Sequence, residues 1–77
     1  MSYHSFIGKT VSEDSAHAVR RLFSTRYKVR SVREGFTLFH DSVYYVYLHD
    51  NTSFKVYLER STGLLGDGKL HVKYITA

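Results

Sequence analysis

The run Val43-Tyr44-Tyr45-Val46-Tyr47-Leu48 constrains the fold more than any other segment of this chain. It is β-branched or aromatic until its final leucine, the composition of a strand that packs on a pleated, half-buried surface. Asp50-Asn51-Thr52 then offer turn chemistry, and residues 54–58 return with alternating character. Period-two alternation puts Phe54, Val56 and Leu58 on one face and Lys55 and Tyr57 on the other. A hairpin with one apolar face needs a second layer to cover it.

The segment before it offers that layer. Ser12 can cap a helix whose first turn holds Glu13 and Asp14, with Thr10 and Glu13 as a capping-box alternative two residues earlier. The helix is expected to run to about Arg26, with Ala16, Val19, Leu22 and Phe23 as its inner stripe. Phe6 and Ile7 are expected to tuck into the core. Further strands are expected at 27–32, with a bulge near Ser31 because Val29 and Val32 are out of phase, and at 36–39. A last strand is expected at 69–76, with Leu70, Val72 and Tyr74 alternating; Leu70 and Tyr74 are also four apart, so a short helix is the alternative there. Glu34-Gly35 and His40-Asp41-Ser42 read as turns, and 61–68 as a glycine-rich loop. The expected class is α+β: an N-terminal amphipathic helix packed on one or two small antiparallel sheets, in a single compact domain over residues 1–77.

A chain of 77 residues buries roughly 60–65% of its unfolded surface, so its stability is modest. It has no cysteine, which excludes a disulfide scaffold and thiolate chemistry. It has no proline either, so no X-Pro isomerisation slows folding. No apolar run approaches the ~20 residues that span a bilayer, and no membrane partner is expected. The N-terminal residues show no signal-peptide pattern.

The charge is unevenly distributed. Residues 20–33 carry Arg20, Arg21, Arg26, Lys28, Arg30 and Arg33 and no acid, while the remaining five Lys/Arg face seven Asp/Glu. The net charge of +4 therefore comes from one block, which attracts polyanions or an acidic protein face. Five of the six are arginines, whose planar fork pairs carboxylates and phosphates with two bonds at once. A plain solvated surface is the simpler alternative. Lys28 and Arg30 are expected to share one strand face.

Other constellations carry less. Gly63-Leu64-Leu65-Gly66-Asp67-Gly68-Lys69 matches the opening of a phosphate-binding loop, yet Leu70 stands where the magnesium-binding hydroxyl belongs and too few residues follow for the helix that the loop must open. His40-Asp41 and His49-Asp50 repeat a pair, but a straight strand of nine residues separates them by about 30 Å. His4, His17 and His71 show no ligand spacing. No metal, cofactor or catalytic residue is therefore assigned, and the chain reads as a non-enzyme; a toxin-like ribonuclease using dispersed Arg, Lys, His and Tyr is the catalytic alternative. Tyr44, Tyr45, Tyr47 and Tyr57 read as cross-strand packing or, alternatively, as a base-stacking face.

The stretch SYHSFIGKTVSEDSAHAVRRLF, followed by YKVRSVREGFTLFHDSVYYVYLHDNTSFKVYLE, resembles the internal head proteins of T-even bacteriophages in its processed form. The resemblance extends from Ser2 to Ala77 and lies in overall character rather than in a motif. It implies that Met1 stands where a capsid-targeting leader is removed. It also implies packaging in the phage head with the DNA, ejection into the host cytoplasm, and inhibition of a host restriction endonuclease that attacks DNA carrying glucosylated hydroxymethylcytosine. The expected partners are that endonuclease and, non-specifically, the DNA in the head, with the chain acting as a monomer. The resemblance assigns no catalytic residue. The basic block is the expected partner-binding face, and a small nucleic-acid-binding protein is the alternative.

Overall fold

The computed structural model describes residues 3–77; the expected leader-cleavage position at Met1 lies outside them. A 3-10 turn over Tyr3–Phe6 leads into a two-residue strand, β1 (Thr10–Val11), then a helix, α1 (Ala16–Phe23). Four strands follow: β2 (Val29–Glu34), β3 (Ser42–Leu48), β4 (Ser53–Arg60) and β5 (Leu70–Thr76). All pairings are antiparallel, in the order β1-β5-β4-β3-β2.

This overturns the α+β expectation. The described residues form mainly one curled five-stranded sheet, and the single short α-helix among them sits mid-chain between β1 and β2 rather than at the N-terminus. The reasons are local. Val11 is claimed by the sheet, pairing with Leu70. Asp14 leaves the helix to accept hydrogen bonds from the Ser42 hydroxyl and, at 2.7 Å, from the Tyr44 hydroxyl on β3. Ser15, not Ser12, is the cap: its side chain accepts from the Ala18 N–H. At the other end the Thr25 hydroxyl donates to the Leu22 carbonyl at 2.7 Å, and the helix ends at Phe23, three residues before Arg26, with Ser24 as its C-cap.

The helix covers one face of the sheet. Val19 and Phe23 are fully buried, Ala18 joins them, and Ala16 and Leu22 are only half-buried, so the inner stripe is rotated toward Ala18 relative to expectation. Phe23 meets Phe6 and Phe54 with ring centroids 4.5 and 5.2 Å apart, and Tyr3 stacks on Phe54 at 4.0 Å. Tyr44, Val46, Leu48, Val56, Leu58, Leu70, Val72 and Ile75 complete this core. Ile7, expected beside Phe6, is instead exposed.

Two bulges set which side chains reach which face. One lies between Val29 and Ser31, leaving Arg30 without a cross-strand partner and letting both Val29 and Val32 face the core. The other leaves Lys73 unpaired, since Tyr57 pairs with Tyr74 but Leu58 pairs with Val72. It turns Tyr74 outward and brings Ile75 in, against the simple alternation of Leu70, Val72 and Tyr74. The segment is strand rather than helix. Residues 36–39, expected as a strand, form a loop instead, because the β2–β3 ladder ends at Gly35, whose N–H donates to Val43, and no neighbouring strand is left for them to pair with.

Candidate functional site

The sheet face opposite the helix carries the most organised array of cations and rings. Tyr45 and Tyr47 alternate with the core-facing Tyr44 and Val46, so period two splits the tyrosine run: Tyr44 goes inward and its neighbours outward. Burial and the adjacent Asp14 carboxylate hold the Tyr44 hydroxyl far above its ordinary pKa, which marks it as a structural donor.

On the outer face Arg33 lies opposite Tyr45 and places its guanidinium 5.9 Å from the centroids of both Tyr45 and Tyr47. It also donates to the Tyr47 hydroxyl at 3.3 Å. Arg30, freed from the ladder by the bulge, lies 5.9 Å from the Tyr47 ring, and the Lys55 ammonium lies 5.7 Å from Tyr45. Across β4 and β5, Tyr57 meets Tyr74 at 5.8 Å and His40 at 4.8 Å. The face thus grades from cations over the β3 rings, supplied by β2 and by Lys55 of β4, to the ring pair Tyr57–Tyr74 farther across β4 and β5. Gly35 supports one corner, since any Cβ there would collide with the Tyr45 ring. Stacking each cation on a half-buried ring holds it in place while its charge stays open to solvent.

The six cations of the basic block are not one site. Arg30 and Arg33 share the outer face. Arg20 is a brace: its two terminal nitrogens donate to the Arg30 and Val29 carbonyls at 3.3 and 3.2 Å, tying α1 to the bulge. Arg21 is exposed on the helix. Arg26 and Lys28 line a groove of about 400 Å³ beside the β3–β4 turn, with Tyr27, Leu48, His49 and Asp50. Lys28 and Arg30 therefore do not act from one strand face, because β2 begins after Lys28 and bulges at Arg30. Lys55 and Tyr74, which belong to the outer face, lie outside the block. Lys55 was legible from β4 alternation; Tyr74 was not, because the Lys73 bulge has no sequence signal of its own.

Two of the histidines, His40 and His71, are drawn into separate polar contacts. His40 Nδ1 is 2.7 Å from a Glu59 carboxylate oxygen. His71 has Nδ1 3.2 Å from the Gly8 carbonyl and Nε2 2.8 Å from Asp67. With an acceptor at each nitrogen, the imidazolium is favoured, and the His71 pKa is raised, chiefly by Asp67. His40 and His49 sit at opposite ends of β3. Among the described residues no group of three or more His, Asp or Glu side chains is placed to share a metal ion. The glycine-rich loop returns directly into β5, with Gly68 N–H donating to Ser61 and Lys69 N–H to the Asp67 side chain. No helix among the described residues is long and apolar enough to cross a membrane.

Comparison of the chain with protein-family models, curated proteins and solved structures finds no match in any of the three.

Proposed function

We propose that this chain is a non-enzymatic inhibitor that docks through the outer face of its sheet onto an acidic surface of a protein partner. The observation that carries it is the array of Arg30, Arg33 and Lys55 over Tyr45 and Tyr47, continued by Tyr57 and Tyr74. Tyrosine and arginine dominate the energetics of protein interfaces, because rigid amphipathic rings and planar guanidinium groups lose little conformational freedom on binding. A sheet presents them on a stiff base, so little ordering cost is left to the encounter. The resemblance to T-even internal head proteins supplies the target class: a host restriction endonuclease directed at DNA with glucosylated hydroxymethylcytosine. On that basis the chain travels in the phage head and acts in the host cytoplasm.

Single-stranded nucleic acid is the second reading, because ring faces beside cations also stack bases. One experiment separates the two. The restriction enzyme is challenged with modified DNA in the presence of wild type or Arg33→Glu/Arg30→Glu, across a salt series, and binding of a labelled single-stranded oligonucleotide is followed in parallel. Inhibition by docking predicts stoichiometric protection by wild type and at least tenfold weaker protection by the reversal, a loss of about 1.4 kcal/mol or more, largest at low salt. Oligonucleotide binding with a steep salt slope and no protection supports the second reading. Equal protection by wild type and the folded reversal removes this face as the docking surface.

A further inference from the structure

The two ends of the sheet differ in a way that points to self-association. The 35–41 and 61–69 loops emerge at one end, where Ser42 pairs with Leu58 and where Asp41 accepts from the Arg60 N–H at 2.7 Å. The turn at residues 49–52 lies at the other. At the loop end Phe36, Leu38, Phe39, Leu64 and Leu65 are all at least 75% exposed, the last two almost completely. So many large apolar side chains at one end exceed the single scattered exposures normal for a monomer.

The charges divide along the same axis. Glu13, Asp14, Glu34, Asp41, Glu59 and Asp67 all belong to the loop end or the strand residues next to it, where they outnumber Arg33, Arg60 and Lys69; of the acids only Asp50 lies at the turn end, where it is engaged by the Thr52 N–H and hydroxyl. The turn end instead offers the groove of about 400 Å³ lined by Arg26, Tyr27, Lys28, Leu48, His49 and Asp50, two cations against one carboxylate that Thr52 already engages. β3 and β4, of seven and eight residues, separate the two surfaces by roughly 20–26 Å at ~3.3 Å per residue.

We propose that a second copy of this chain is the occupant: the apolar loops of one copy seat in the Arg26–Lys28 groove of the next, with Asp41 and Glu59 facing the groove's cations. This departs from the expected monomer. Charge decides between the arrangements. A symmetric loop-to-loop dimer would bring two net-acidic ends together, with Arg60 and Lys69 among the few loop-end cations to offset them, and an anionic lipid surface would repel the same end. Head-to-tail contact pairs opposite charges, and because it is heterologous it continues from copy to copy rather than closing at two.

The test uses the full chain in sedimentation or light-scattering measurements over a concentration series at low and high salt. Wild type is expected to grow beyond the mass of a dimer as concentration rises, and to revert towards monomer in high salt. A loop variant, Phe39→Ser/Leu64→Ser/Leu65→Ser, and a groove variant, Arg26→Glu/Lys28→Glu, alter exposed positions; circular dichroism confirms that each is folded. Each alone is expected to be monomeric. Mixed, they are expected to form a complex of one copy of each that grows no further, since only one working loop end and one working groove remain. A wild type that stays monomeric at every concentration overturns the proposal. So does association that stops at a dimer and is lost only in the loop variant, the mark of a symmetric contact. Arg30→Glu/Arg33→Glu should associate like wild type, which keeps this outcome separate from the inhibitor assay.

Discussion

Phe23→Ala is the most direct probe of how the sheet is covered. Phe23 is fully buried at the last turn of α1, between Phe6 from the N-terminal turn and Phe54 from β4. Truncation removes the ring and leaves a cavity between the N-terminal turn, α1 and β4, and the surroundings fill it only by moving the helix. Such a change costs about 3–5 kcal/mol. A chain of 77 residues is stabilised by about 4–12 kcal/mol in total, so this is a large share. With an unfolding entropy of about 2.1 cal/mol/K per residue, the midpoint should fall by roughly 20–30 °C. A thermal melt measures that shift, and urea titration followed by far-ultraviolet circular dichroism measures the free-energy cost, with the slope expected unchanged and the midpoint concentration lowered. Leu22→Ala is the control: Leu22 is half-buried, so its loss should be clearly smaller. A cost for Phe23→Ala below ~1 kcal/mol, or equal costs for the two variants, would refute the helix orientation described above.

Two further outcomes follow from the polar contacts. Tyr44→Phe and Asp14→Ala should be coupled in a double-mutant cycle by about 0.5–3 kcal/mol, because each removes the other's partner; strict additivity would show that the latch between the helix entry and β3 is not formed. The contact between His71 and Asp67 should depend on pH in a defined window. The His71 pKa is raised above its ordinary 6.5, so its contribution is complete below that value and is lost as pH rises through the folded-state pKa. The Asp67 pKa is lowered from 3.8, chiefly by the Lys69 N–H and then by His71, so its contribution is present above 3.8 and is lost as pH falls through the lowered value. The melting-temperature gap between wild type and His71→Gln should therefore be widest between about 4 and 6.5 and shrink on both sides; a gap independent of pH would rule out the ion pair as its source.

The β3–β4 hairpin was legible because its signals are local: alternation puts Phe54, Val56 and Leu58 inward, and Asp50 to Thr52 make the turn by their own side chains. The bulge beside Ser31 was legible for the same reason, from the spacing of Val29 and Val32. The helix was legible only in part. Its apolar residues are correctly helical, but Asp14 has two chemically equivalent uses, in a first turn or as an acceptor for Tyr44, and only the arrival of β3 decides between them. The basic block shows the same division. Composition establishes that six cations crowd residues 20–33. The tertiary structure assigns Arg20 to bracing a bulge, Arg26 and Lys28 to one end, and Arg30 and Arg33 to the tyrosine face, because a helix, a loop and a bulged edge strand point neighbouring side chains in different directions. Tyr74 marks the limit most clearly. Its exposure depends on one unpaired residue, Lys73, and a bulge is a property of how two strands meet, not of either strand alone.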